Sequence, residues 1–450
     1  MSTNIVWPGL IDEVSGAQTK LNTYAPPLVR IHAGTDGGTP ALPEATTRGK
    51  WDFTALDQLV NNVRAYGGSP LLNVRCAPNW MWTCTAYWSN TNQGVGTLRD
   101  LTFQEFAAYM ARLVSYYNKG SMTTEAGEVL NNPAGTNNRI TYWEIWNEPD
   151  LSNETPCHPA DWGPALTSDN YVKMWNAVVP QMRAVDPSIK VVGPAITDID
   201  TGQNPEYVPD LMQNATYKPD VISYHGYGGW DNSQGDLEMF DGDGGLSYIV
   251  HEADQVHSWA PGKPVWMTEI NVNADWGNDP AKRPSSAYGV AWVATAFRNL
   301  GLKGVALLNL YDFIDIPQFG LIDDTTGAPN LAYWRDMLLN HSFPTGSTLL
   351  KSSSSKADIL TLAVRQSNGA ISILVINRQV NSHSSVGGRG LPATVTVQLQ
   401  GITPGAISLQ RIDSSIKPSV GPQIVTLSSS TLLQVSFNGY GIAIFHVLGK

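Results

Sequence analysis

The chain has 450 residues, a formal net charge of −11 and an isoelectric point near 5.1. At roughly 100–200 residues per domain, with single barrels running larger, such a length suggests two or three units. Acidity without a basic tract argues against nucleic acid as a partner, 42% hydrophobic residues with 15 Trp argue against disorder, and no apolar run approaches the roughly 20 residues of a membrane span.

The first 340 residues alternate short apolar runs with amphipathic segments. A weak first strand is placed near Asn4–Leu10. Further strands are expected at Leu28–Ala33, Pro70–Arg75, Ile140–Trp146, Ile189–Val192, Val221–His225, Val265–Glu269 and Val305–Leu310. Helical spacing fills the gaps at Phe53–Tyr66, Thr102–Tyr117, Asn170–Val185, Leu246–Ser258, Ser285–Leu300 and Asn330–Asn340. Thr102 opens its helix with Thr-x-x-Glu, which reads as a capping box. Strands alternating with helices imply a parallel sheet, and eight strands make an α/β (β/α)8 TIM barrel.

After His341 the pattern changes. Residues 343–358 read as a linker or turn. Strands are then expected at Ile359–Arg365, Ala370–Asn377, Ala393–Leu399, Ile407–Ile412, Ile424–Leu427, Leu432–Phe437 and Ile442–Val447. They alternate polar and apolar residues, which suits an all-β sandwich. The expected division is therefore a catalytic barrel over 1–341 and a structural β-sandwich over 342–450. Composition divides at the same place. From Ser342 to Lys450 there are eight Lys/Arg against two Asp/Glu, which leaves −17 for the rest, and every Trp from Trp7 to Trp334 precedes that segment.

Barrel enzymes build their sites at the C-terminal strand ends. Two glutamates stand there. Glu148 ends YWEIWNEPD (Tyr142–Asp150), beside Asn147 and near Trp143 and Trp146; Glu269 closes VWMTE. A pair of carboxyl groups on one barrel face can flank a glycosidic bond, one protonating the leaving oxygen and one attacking the anomeric carbon. Aromatic surroundings would raise the acid by desolvation. By alternation, Glu144, Trp146 and Glu148 project to one side of their strand. A buried Glu144 needs a cation, and Arg30 and Arg75 on the two preceding strands are the candidates. Such a network would hold Glu269 ionised while Glu148 stays protonated. Solvated arginines at strand ends are the alternative.

The Trp-Asn-Glu-Pro string (Trp146–Pro149), with Thr268-Glu269 121 positions beyond Glu148, resembles clan A of the glycoside hydrolases. The fuller strings WEIWNEPD, ISYHGYG and VWMTEIN are most similar to family 39, over residues from about 25 to 340. That resemblance implies a retaining double displacement with Glu148 as acid/base and Glu269 as nucleophile. It implies that Asn147 bonds the sugar 2-hydroxyl and that Tyr227 holds the nucleophile. His225 is either a substrate contact or a satisfied core histidine.

Trp80 and Trp82 in Asn79–Trp88, with Trp230 and Trp276, are candidate sugar platforms, because sugar rings lay apolar C–H faces on indoles. Where many clan relatives carry a Trp after the eighth strand, this chain reads Asn309-Leu310-Tyr311-Asp312. Asn309, Tyr311 or Asp312 must serve instead, so β-xylosidase specificity does not transfer directly.

The expected function is hydrolysis of β-glycosidic bonds in a polysaccharide or oligosaccharide, with endo-action. An exo-acting β-xylosidase-like enzyme, a catalytically silent carbohydrate-binding protein on the same fold and a metal-dependent barrel hydrolase are the alternatives. No cofactor and no metal are expected, Asp241–Gly245 (DGDGG) being an incomplete calcium loop. The partner is a carbohydrate, not nucleic acid or membrane, and the assembly a monomer or small homo-oligomer. Cys76, Cys84 and Cys157 allow one disulfide or three free thiols. The start MSTNIVWPG shows no secretory signal, yet low charge and abundant Ser, Thr, Asn and Gly point to an extracellular or secreted protein.

Overall fold

A computed structural model of the chain describes residues 1–6, 9–33, 48–75, 77–84, 95–150, 166–197, 199, 206–229, 233–275, 278–316 and 318–449, with 79, 82–84 and 95–97 described in backbone only. Eight parallel strands close into a barrel in chain order: β1 (Ser2–Ile5), β2 (Leu28–Ala33), β3 (Ser69–Val74), β4 (Tyr142–Ile145), β5 (Lys190–Ile196), β6 (Val221–Tyr227), β7 (Val265–Asn271) and β8 (Val305–Leu310). The outer helices are α1 (Ala17–Tyr24), α2 (Thr54–Ala65), α3 (Gln104–Lys119), α4 (Ser168–Val185), α5 (Tyr207–Asn214), α6 (Leu246–Trp259), α7 (Ala287–Leu302) and α8 (Leu331–Ser342).

The first strand lies earlier than its expected place at Asn4–Leu10. Leu10 instead opens a one-turn helix, Leu10–Glu13. The strand is hidden in sequence because Ser2, Thr3 and Asn4 are polar, yet all three are fully buried. The barrel interior explains this. Its floor is an apolar layer of Leu28, Leu71, Tyr142, Val192, Val221, Trp266 and Leu307, drawn from β2 to β8. Two residues further along a strand the same face points inward again. There the barrel holds Arg30, Asn73, Glu144, Ser223 and Asn309, all buried. A dry floor beneath a polar middle layer sets the site's chemistry at one end of the barrel.

The capping box at Thr102 is replaced by another cap. Asp100 accepts from the backbone N–H of Thr102 at 2.9 Å and of Glu105 at 2.8 Å. Glu105 instead pairs with Arg99 at 2.7 Å.

The C-terminal strands are β9 (Thr348–Leu350), β10 (Ile359–Arg365), β11 (Ile371–Asn377), β12 (Ala393–Gln398), β13 (Pro404–Asp413), β14 (Val425–Leu427), β15 (Leu432–Phe437) and β16 (Gly441–Gly449). β9 lies within the segment expected to be a linker. A six-stranded antiparallel sheet, β9-β10-β11-β16-β13-β14, faces the ribbon β12-β15. Ile371, Ile373 and Val375 point to the ribbon side, while Leu374 and Ile376 join the core shared with the barrel helices. β11 is therefore buried on both faces, which is why ISILVIN reads as a near-continuous apolar run. The sheet rests on α7 and α8.

Candidate active site

The chain leaving β4 changes direction abruptly. Trp146 and Glu148 adopt left-handed φ values of 71° and 46°, and the facing Ala195 on β5 has 55°. Such backbone costs roughly 1–2 kcal/mol per residue and needs outside support. Support comes from three bonds: Trp146 N–H to Val74 O at 3.0 Å, Asn147 N–H to Arg75 O at 3.1 Å, and Glu148 N–H to Ala195 O at 2.9 Å. The twist breaks the expected alternation. Trp146 turns out of the barrel onto Phe106 of α3, with ring centroids 5.6 Å apart. Asn147 and Glu148 turn in. Trp143 is fully buried and bonds the Ile140 carbonyl at 3.1 Å. The Glu148 carboxyl faces His225 at 2.9 Å (Oε1 to Nδ1) and is 19% exposed.

Glu269 reaches the interior by a different irregularity. Trp266 faces inward, so strict alternation would turn Glu269 outward. The register of β7 against β8 slips between Met267 and Ile270. Both Glu269 oxygens are then bonded: Oε1 accepts from Arg30 Nη1 at 2.7 Å and Oε2 from the Tyr227 hydroxyl at 2.7 Å.

Arg30 is the hub. Its Nε donates to Glu144 Oε2 at 2.5 Å and its Nη2 to Asn147 Oδ1 at 2.6 Å, while Nη1 also reaches Asn4 Oδ1 at 3.0 Å and His32 Nε2 at 2.6 Å. Asn73 adds a 2.9 Å bond to the same Glu144 oxygen. The ion pair Glu144 requires is therefore made by Arg30. Arg75 lies half-buried at the end of β3.

Charge follows from this geometry. Burial alone would raise the Glu269 carboxyl, but the His225 and Arg30 charges hold it well below the usual carboxylate range. His225 is fully buried, which alone would depress it; the negative charges of Glu269 and Glu148 and the Glu148 bond raise it above its ordinary value. Burial and the neighbouring Arg30 push His32 down to about 3, so it stays neutral and accepts from Arg30.

Glu148, His225 and Glu269 each place one atom within 4.8 Å of the others, which is compact enough to ligate a cation. Their surroundings do not suit one. Both Glu269 oxygens are already engaged, one of them by the Arg30 guanidinium, which would repel a divalent ion.

Tyr311 is the residue after β8 that reaches the site. It is half-buried, edge-on to Tyr227 at 6.5 Å and to His32 at 6.3 Å. Asn309 and Asp312 are fully buried, and burial with the nearby Asp315 and Glu269 charges raises Asp312 well above the carboxylate range. The Arg48 and Arg99 guanidinium groups lie over the Trp80 ring at 5.1 and 5.0 Å. Trp230 and Trp276 fall outside the described residues, as do Cys76 and Cys157; Trp82 and Cys84 are described in backbone only. Asp241 of DGDGG pairs with Arg378 at 2.7 Å. His32, Asn4 and Asn73 belong to the site and were not singled out by sequence. His32 shares the inward parity of Arg30, which is the signal that could have found it.

Two glutamates facing each other across the end of such a barrel raise the question of ancestry. The model of the glycosyl hydrolases family 39 matches residues 29–300. The chain belongs to that family. This family 39 protein is a glycoside hydrolase. No curated protein matches the chain. Among solved structures, it is similar to a monomeric β-xylosidase from Caulobacter crescentus CB15 (TM-score 0.68, 16% identity, covering 100% of this chain and 96% of that one). It is similar to the GH39 enzyme from Xanthomonas axonopodis pv. citri (TM-score 0.68, 15% identity, 100% and 94%). It also resembles a bifunctional glucanase-xylanase from a metagenome library (TM-score 0.62, 15% identity, 100% and 96%). At such identities these likenesses show the shared barrel-and-sandwich fold.

Proposed function

We propose that the protein is a retaining hydrolase of β-glycosidic bonds in a polysaccharide or its oligosaccharides. The observation that carries this reading is the spacing of Glu148 and Glu269, whose nearest atoms lie within 4.8 Å. Retaining enzymes hold their carboxyl groups about 5–5.5 Å apart, whereas inverting ones leave about 6.5–9.5 Å for a water.

In the first step a Glu269 oxygen bonds the anomeric carbon as the glycosidic C–O bond breaks, and Glu148 gives its proton to the leaving oxygen. In the second, Glu148 takes a proton from water, whose oxygen displaces Glu269 and restores the β-configuration. Arg30 and Tyr227 keep Glu269 anionic and aimed. Asn147 Oδ1 is engaged by Arg30, so its amide N–H₂ is the group available to the sugar 2-hydroxyl. That bond strengthens as the oxocarbenium-like transition state develops.

The reading includes endo-action on a polymer met outside the cell by a secreted enzyme. Exo-action is the second reading, favoured by the β-xylosidases among the similar structures. A glycan screen with product sizing separates them: long products early mean endo, monosaccharide alone means exo. Glu148→Ala with added azide tests the mechanism. Partial rescue with a β-glycosyl azide is expected. An α-azide, or no rescue, contradicts the assignment.

A further inference from the structure

The sandwich does more than rest on α7 and α8. The connection between β11 and β12 reaches the catalytic face and closes on the connections that leave β6 and β7. The Ser385 carbonyl accepts from Asp236 N–H at 2.7 Å. In return, Asp236 Oδ1 accepts from Gly387 N–H and Oδ2 from Gly388 N–H, each at 2.7 Å. Gly387 (φ +64°) lies so close to the β7 connection that a Cβ there would stand 2.1 Å from the Ala281 Cβ.

From this clasp a run of bonds leads inward. Arg283 Nη1 lies 3.6 Å from Asp236 Oδ1, with both side chains fully buried. The same nitrogen donates to Gln234 O at 2.7 Å, and Arg283 Nε to Asp279 Oδ2 at 3.0 Å. Asp279 Oδ2 also accepts from Asn273 Nδ2 at 2.9 Å. Beside Asn273, Ala274 N–H donates to Gly229 O at 2.9 Å, and Gly228 N–H donates to Asn271 O at 3.3 Å. Gly228 follows Tyr227, whose hydroxyl holds Glu269. Burying Asp236 with its arginine is a costly way to glue two domains that already share an apolar face. What such a network supplies well is fixed geometry.

We infer that the Ser385–Gly388 segment is a positioning element for the active site: it fixes the β6 and β7 connections, and through Gly228 the hydroxyl of Tyr227 on Glu269. The inference rests on Glu269 being the nucleophile. Misplacement by 1 Å can cost about 100-fold in rate, so a partial slackening of the clasp is worth about tenfold.

The test is a double-mutant cycle in the full-length enzyme: Gly387→Ala, Ala281→Gly and both together. Readouts are kcat and KM on the wild type's preferred β-glycan and on 4-nitrophenyl β-xyloside, the acid limb of kcat/KM, and the melting temperature. Gly387→Ala should lower kcat about tenfold and move the acid limb upward, because Glu269 loses its Tyr227 bond while keeping Arg30 and His225. Removing the Ala281 methyl should restore much of both in the double variant, leaving only the cost of an alanine in the left-handed backbone at 387 (φ +64°). Asp236→Asn gives the same readouts if Gly387→Ala does not fold, since its amide cannot accept from both glycines. A fall in melting temperature alone, with kcat, KM and acid limb within twofold of wild type, overturns the inference. Full activity of Glu269→Ala would instead overturn the nucleophile assignment, which is a separate result.

Discussion

One guanidinium nitrogen of Arg30 lies 2.7 Å from Oε1 of Glu269, with the arginine fully buried and the carboxylate nearly so. The same guanidinium spans Glu144 on the next strand but one, so one cation is shared by two buried carboxylates. Removing one partner of a buried pair leaves an uncompensated charge, at a cost of about 3–5 kcal/mol.

Arg30→Ala should therefore lower stability by about 3–5 kcal/mol and abolish measurable turnover. Arg30→Lys should fold better but remain poorly active, because an ammonium cannot serve Glu144, Asn147 and Glu269 together. Glu144→Gln should lose both stability and rate. Chemical denaturation and kcat/KM check these variants; an unimpaired Glu144→Gln contradicts the proposed hub.

Tyr227→Phe removes the donor to Glu269 Oε2. Hydrogen bonds to charged groups contribute about 1.5–3 kcal/mol, so kcat/KM should fall about 10- to 150-fold. The acid limb of the pH profile should rise with it, since the depressed Glu269 carboxyl loses one of its stabilisers. An unshifted limb would mean the hydroxyl does not serve the anion.

His225 is raised above its ordinary value by the two carboxylates, against the effect of burial. A raised group contributes stability that is complete below about pH 6.5 and lost as pH climbs through the folded value. Melting temperatures from pH 5 to 9 should decline on the alkaline side for wild type and less for His225→Asn.

Asp150 is pushed up to about 6 by burial, with the Glu148 charge adding and the Thr197 bonds opposing. Its contribution is present below about pH 3.8 and is lost as pH rises through 6, an effect on the order of 3 kcal/mol. Asp150→Asn should flatten the pH dependence of stability between pH 4 and 7. An unchanged slope would remove Asp150 from the titration.

Much of this arrangement was legible in the sequence. Glu148 and Glu269 could be placed near the C-terminal ends of β4 and β7 because apolar runs mark both strands, although β4 stops at Ile145 and β7 continues to Asn271. The Arg30–Glu144 pair could be anticipated because a buried carboxylate on an inward face needs a cation. The direction of Trp146 could not, since a left-handed residue resets alternation and nothing local announces it. Nor could the inward turn of Glu269, which depends on a register slip against β8. Asn4 was missed because Ser2–Ile5 is a polar strand whose partners are distant in the chain. The clasp at Asp236 depends on glycines about 150 residues away, a contact with no local pattern.

The central claim is double displacement with retention through Glu269. The most direct measurement is ¹H NMR of the anomeric proton in the first product formed from a β-linked oligosaccharide, read before mutarotation. The β-anomer should appear first and decay towards equilibrium with the α-anomer. Initial appearance of the α-anomer would contradict the mechanism and the roles given to Glu148 and Glu269.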